Sequence, residues 1–178
     1  MIHREHILQS HARKFCIDAI NAEFEFISND RAKIPGRSVG ARMGAAARQR
    51  ARGITPGTAD TVLIVGYMRA IWIEWKAPGA KVKEDDDQWK FGQRMMHLGC
   101  WWSWFNDIPT FALWLESIGV PMRANAGFLA QHHQGIVDSV IAKAETKKGK
   151  APKSYKPGPR HTMTRAGAKR VLKAGIFT

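Results

Sequence analysis

"GTADTVLIVGYMRAIWIEWKAPG", residues 57–79, decides how this 178-residue chain is read. Val62, Leu63, Ile64 and Val65, then Ile71, Trp72, Ile73 and Trp75, form two short runs rich in β-branched and aromatic side chains, the composition of strands. Gly66 in the short connection predicts a hairpin. Both faces of both runs are largely apolar, so the sheet is expected to be covered on two sides. Asp60, Glu74 and Lys76 interrupt this pattern, and three charges among buried strand residues need a physical reason.

A hairpin turning about Tyr67, with Gly66 to Met68 as its loop, sets Asp60 directly opposite Glu74. Side chains so paired have Cβ atoms roughly 4.5 to 5.5 Å apart on one face. Lys76, two residues beyond Glu74, projects from the same face about 6 to 7 Å farther along. Two carboxylates at that spacing repel each other and raise one pKa, whereas a shared Mg²⁺ would receive the hard oxygen ligands it prefers. A slip of one residue would send Asp60 to the other face and dissolve the site. The alternative is structural: Asp60 caps the strand entry after Gly57, and Glu74 and Lys76 make an exposed pair on an edge strand.

Outward from the hairpin, residues 3–27 carry Leu8, Ala12, Phe15, Cys16 and Ala19 at three- and four-residue steps, which predicts a helix with one buried stripe. Residues 29–57 are rich in Gly, Pro and Arg; a loop around Pro35 and Gly36 and a short Ala-rich helix over 39–51 are expected. After the hairpin, the acids Glu84 to Asp87 suit the first turn of a helix running through Trp89, Phe91, Met95, Met96 and Leu98 and stopping at Gly99. "CWWSWF" (100–105) reads as a third strand, and residues 108–118 as a helix with Phe111, Ala112, Leu115 and Ile118 facing inward. Helix, hairpin, helix, strand, helix is the order of an α/β core with a mixed central sheet and helices on both faces. Trp101, Trp102 and Trp104 are read as core packing, and His132 and His133 as surface polar residues.

The composition bounds the function. The chain carries 28 Lys and Arg against 15 Asp and Glu, a formal charge of +13, which favours a polyanionic partner such as nucleic acid. From residue 143 onward eleven basic side chains face a single acid, Glu145, so a basic extension is expected. Cys16 and Cys100 lie far apart within apolar segments and read as buried thiols of a reducing compartment. No stretch approaches the length of a membrane span or a signal peptide, so a cytoplasmic protein is expected. The apolar "MMHLGCWWSWF" (95–105) is a candidate self-association surface.

The motifs, taken together, resemble the VRR-NUC domain of the PD-(D/E)XK nuclease superfamily. The matching pieces are "ARQRARGITPGTAD" (47–60), "IWIEWKAPG" (71–79), Gln88 within "EDDDQWKF" (84–91), "GCWWSWFND" (99–107) and "IPTFALWLESIGV" (108–120). The first helix adds "REHILQ" (4–9), an E-x-x-x-Q pattern formed by Glu5 and Gln9. Ala59 stands where the family usually has a proline, and the stretch between Lys76 and Gln88 is slightly long. The resemblance spans roughly residues 3–118. It implies a PD-(D/E)XK nuclease-like core over residues 1–120 and a basic extension, partly flexible, over 121–178.

The resemblance implies a DNA endonuclease dependent on Mg²⁺ or Mn²⁺. Asp60, Glu74 and Glu5, with the Trp75 carbonyl, would hold the metal; Lys76 would orient water or stabilise phosphate charge; Gln88 would position Lys76 or a phosphate. Arg42, Arg48, Arg50 and Arg52, and in the tail Lys147, Lys148, Lys150 and Lys153, are assigned to backbone phosphates. A homodimer acting on branched DNA, in the manner of a Holliday-junction resolvase of repair, recombination or a phage, is the expected form. The alternatives are a restriction-type or flap- and end-processing repair nuclease, or a non-catalytic DNA-binding or inhibitory protein on the same fold.

Overall fold

A computed structural model describes residues 4–29 and 57–146. The expected loop and Ala-rich helix over 29–57, and the tail beyond 146, lie outside or almost wholly outside those residues. Eight elements follow in order: α1 (Arg4–Ala19), β1 (Phe24–Ser28), β2 (Thr61–Val65), β3 (Ile71–Trp75), α2 (Asp87–His97), β4 (Trp101–Phe105), α3 (Ile108–Ser117) and α4 (Ala126–Thr146). The sheet order is β1-β2-β3-β4, with β1, β2 and β3 antiparallel in turn and β3 parallel to β4. This is the mixed α/β sheet expected from the element order.

The helix expected over 3–27 divides in two. Its buried stripe, Leu8, Ala12, Phe15, Cys16 and Ala19, ends at Ala19. The chain is then tied across to the segment before α4: Asn21 donates to the Pro121 carbonyl at 2.8 Å, and Arg123 to that of Ala19 at 2.8 Å. Beyond that tether the spacing changes from helical to alternating. Phe24 and Phe26 pack inward from β1, which pairs Phe26 with Leu63 and adds an edge strand to the hairpin.

The sheet buries both faces. On one side Leu63, Val65, Ile71, Ile73 and Trp75 meet Leu8 and Phe15 of α1, Phe111 and Leu115 of α3, and Val137 and Ile141 of α4. Edge-on ring contacts from Phe111 to Trp75 (5.1 Å) and to Phe15 (6.2 Å) tie the layers together, and truncating one such ring to Ala typically costs about 3 to 5 kcal/mol. On the other side α2 lays Phe91 and Trp89 over Trp72, Trp102 and Trp104. Gly92 is required there, because a Cβ would fall 2.2 Å from the Trp102 ring. The tryptophans of β4 are thus core, as read. Met95 and Met96 also pack into this cluster, so most of the apolar stretch 95–105 is used internally; Leu98 remains exposed.

The core continues past residue 120, where the basic extension was expected to begin. Ala126, Ala130, Val137 and Ile141 of α4 are buried against α1 and α3. Gln134, also buried, accepts the Ile108 backbone N–H at 2.9 Å, and Asp107 caps α3 by accepting that of Thr110 at 2.7 Å. His133 is not the surface residue expected: it is buried, with Nε2 2.9 Å from Asp18 Oδ2. Polar residues at helical spacing concealed a buried face. Cys16 is buried, which pushes its thiol pKa up, and Cys100 is half-buried; both are free. No helix among the described residues is long and apolar enough to cross a membrane.

Candidate active site

The β2–β3 ladder pairs Thr61 with Ile73, Val62 with Trp72 and Leu63 with Ile71. Continued by one residue, that register sets Asp60 across from Glu74, as the hairpin reading requires. Asp60 does not hang free at the strand entry. Its Oδ2 accepts the Trp75 backbone N–H at 2.9 Å, and its own carbonyl accepts from Asn29 N at 2.7 Å. The Gln9 side-chain amide reaches from α1 to that carbonyl (3.3 Å), to Ser28 Oγ (3.0 Å) and to Thr61 Oγ1 (2.9 Å). Asp60 therefore does cap the strand entry, and the same bonds fix where its carboxylate stands.

Glu74 lies on β3, an inner strand, and is only 1% exposed. That excludes an exposed edge-strand pair. Its Oε1 accepts from Lys76 Nζ at 2.6 Å and from the Gln88 side-chain amide. Gln88 Oε1 in turn accepts from Lys76 Nζ at 2.8 Å, closing a triangle of acid, ammonium and amide. Gln88 gets there because α2 begins beside the β2 entry: Gly57, at φ +75°, approaches so closely that a Cβ would lie 2.2 Å from the Asp87 carbonyl oxygen. Only a glycine allows that approach.

Glu74 Oε2 is buried and has no hydrogen-bond partner among the described residues. Burial first, and then the neighbouring Asp60 charge, push the Glu74 pKa up to about 8, and the Lys76 ammonium opposes without prevailing. Asp60 is likewise raised, first by burial, against the lowering effects of the Trp75 N–H and of Lys76. The Lys76 ammonium answers one Glu74 oxygen, and the other, buried and without a partner among the described residues, has room in its chemistry for a proton or a cation.

Glu5 is the third acid of the expected ligand set. It is exposed in the first turn of α1, and its Oε1 accepts the Ala77 backbone N–H at 3.3 Å. Its charge reaches Asp60 and raises that pKa slightly, but among the described residues no three His, Cys, Asp or Glu side chains group as a metal site. Among the described residues the pair Asp60 and Glu74 thus supplies two neighbouring carboxylates. That set still fits Mg²⁺, which keeps several waters and is commonly held by one or two carboxylates.

Thr61 was not among the residues singled out from the sequence. It is fully buried and accepts both the Gln9 amide and the Trp75 indole N–H, each at 2.9 Å. Its signal was a hydroxyl at the first strand position after Asp60, pointing to the α1 side among Leu63 and Val65. Arg42, Arg48, Arg50 and Arg52, with Lys147, Lys148, Lys150 and Lys153, lie outside the described residues. Comparison with models of protein families, with curated proteins and with solved structures finds no match to this chain.

Proposed function

We propose that the chain hydrolyses phosphodiester bonds of DNA with the aid of a hard divalent metal, Mg²⁺ or Mn²⁺, as a PD-(D/E)XK-type endonuclease. The observation that carries the reading is the pairing of Asp60 and Glu74 at one end of the hairpin, with an open buried oxygen on Glu74 and the Lys76 ammonium 2.6 Å from its other oxygen.

Asp60 and Glu74, in the deprotonated state, would hold the ion. Bound there, the metal would supply phosphate polarisation and an acidified water. Lys76, half-buried at the rim, presents a fixed positive charge where negative charge grows on a phosphate; one such preorganised donor is typically worth 10²- to 10³-fold in rate, about 3 to 4 kcal/mol. Gln88 holds that ammonium in line, so the amine is oriented before substrate arrives. The +13 charge of the chain suits a polyanion and would draw it to this rim. Branched DNA and a homodimer remain part of the proposal through the family resemblance.

The test is cleavage of labelled linear duplex, flap and four-way junction DNA, with Mg²⁺ and with chelator, by the parent chain, Asp60→Asn and Lys76→Ala. Cleavage is expected only with metal and only by the parent, while both variants still bind DNA. Variants that cut at the parental rate would overturn the assignment. DNA binding without cutting in any condition would place the chain among non-catalytic DNA-binding proteins.

A further inference from the structure

On the opposite side of the sheet from Glu74, the seam between α1 and α4 holds two imidazoles that the proposed hydrolysis does not use. The rings of His11 and His133 stand 6.1 Å apart, centroid to centroid, tilted by 55°. His133 Nε2 pairs with Asp18 Oδ2 at 2.9 Å. With that nitrogen donating its hydrogen to the carboxylate, His133 Nδ1 is a bare lone pair. It is buried and has no hydrogen-bond partner among the described residues, and His11 Nδ1 shares both properties. Two neighbouring buried ring nitrogens without a partner are an unmet electrostatic demand.

We infer that His11 and His133 form a binding site for a zinc-class divalent metal ion, with Asp18 orienting His133 from behind. The dimensions fit. With metal–nitrogen bonds of about 2.0 to 2.1 Å, two imidazoles on one ion place their ring centres roughly 5 to 6.5 Å apart, depending on the ligand angle. The arrangement of Asp18 follows the usual logic of a ligating histidine, whose second nitrogen donates to a carboxylate that fixes ring and tautomer. Imidazole selects zinc, nickel, cobalt or copper over magnesium, so this site and the Asp60–Glu74 pair would take different ions.

Charges of both signs surround the two rings. Lys14 on α1 disfavours a cation, Asp18 on the same helix favours one, and His132 on α4 lies with its ring 5.8 Å from that of His133. Burial, Lys14 and His133 together hold His11 below the usual histidine pKa, which keeps it in the neutral, ligating form. Two protein ligands leave water to complete the coordination, so the site is of moderate affinity. Its consequence is mechanical: an ion bridging the seam braces α1, the helix whose Gln9 holds the Asp60 carbonyl. The inference does not depend on the chain being a nuclease.

The experiment uses the full, untagged, chelator-treated chain, titrated with Zn²⁺ by calorimetry with excess Mg²⁺ present, and followed in parallel by thermal unfolding. Saturable binding and a Tm raised by a few degrees are expected. His11→Gln and His133→Gln should each weaken the tightest Zn²⁺ binding by about tenfold or more, while Asp18→Asn weakens it less and Asp60→Asn leaves it unchanged. His11 is only half-buried, so its variant carries the test if His133→Gln fails to fold. The inference falls if no saturable binding occurs, if His11→Gln binds Zn²⁺ as the parent does, or if only Asp60→Asn loses it.

Discussion

Trp75 bonds to the two residues at the β2 entry in two ways at once: its backbone N–H goes to the Asp60 carboxylate and its indole N–H to the Thr61 hydroxyl, both at 2.9 Å. The ring itself is buried against Phe105 and Phe111. A core residue thereby sets the position of a surface-reaching carboxylate. Replacing Thr61 by Val removes the shared acceptor and strands the buried Trp75 indole donor, while Gln9 keeps the Ser28 hydroxyl and the Asp60 carbonyl. A loss of about 1 to 3 kcal/mol in urea unfolding is expected, with reduced cleavage. Thr61→Ser, which restores the hydroxyl, should recover most of both. Equal stability of the Val variant and the parent would show that the hydroxyl is not needed.

Glu74 makes the protein sensitive to pH in a direction fixed by the sign of its shift. Its folded pKa, about 8, lies above the usual glutamate value of 4.5. The folded state therefore binds the proton more tightly than the unfolded state, and this contribution is complete below pH 4.5 and lost as pH rises toward 8. His11 works oppositely, since its lowered pKa adds stability as pH rises toward 6.5. The difference between parent and Glu74→Gln isolates the acid pair. In chelator, the variant should gain on the parent steadily between pH 5 and 8, at up to about 1.4 kcal/mol per pH unit. Parallel stability curves for the two proteins would refute the shift.

Much of this site was legible because a hairpin's register follows from where its loop sits. With Gly66 to Met68 as the turn, the side-chain period of two sets which charges meet, and the ladder keeps the register that leads to that pairing. The strand at Phe24–Ser28 was not legible for the opposite reason. Its apolar residues follow a strong helical stripe without a break signal, and only pairing with β2 and the Pro121 tether tell strand from helix. Glu5 was legible as an acid in a first helical turn, but whether it reaches the other two acids depends on how α1 docks, which one-dimensional spacing does not encode. His133 beside His132 looked polar and exposed because nothing local reveals that α4 turns that ring toward Asp18 and Phe15.

Gln88 is expected to act by positioning. It touches both Glu74 and Lys76, and nothing in its own chemistry breaks a phosphodiester. Gln88→Ala leaves the Lys76–Glu74 pair in place but frees the ammonium to rotate. Under the proposed function, a fall of about tenfold to a hundredfold in kcat is expected with Mg²⁺ affinity little changed. Gln88→Glu keeps the shape and adds a third acid beside Glu74, so it should depress activity and shift the pH profile upward. A Gln88→Ala enzyme with parental kcat would remove Gln88 from the site.

The boundary of the folded unit can be decided by two truncations. A chain ending at Gly119 loses Ala126, Ala130, Val137 and Ile141, exposing the faces of α1 and α3 that α4 covers, and it loses the Gln134 bond to Ile108 N. Val137 and Ile141 contribute roughly 1.5 to 3 kcal/mol each and the two alanines less, and with the apolar faces of α1 and α3 left bare the loss is a large share of the roughly 5 to 15 kcal/mol that a domain commonly has. That chain should show no cooperative unfolding transition by circular dichroism. A chain ending at Thr146 keeps all of α4 and its packing on α1 and α3, and should unfold cooperatively near the parental Tm. It lacks Lys147, Lys148, Lys150 and Lys153, so its DNA affinity should fall. The slope of log affinity against log salt should flatten as well, by about 0.9 for each phosphate of duplex DNA that the tail had neutralised. An unchanged slope would remove the tail from the DNA-binding surface, and a folded Gly119 chain would return the core boundary to where the sequence alone had placed it.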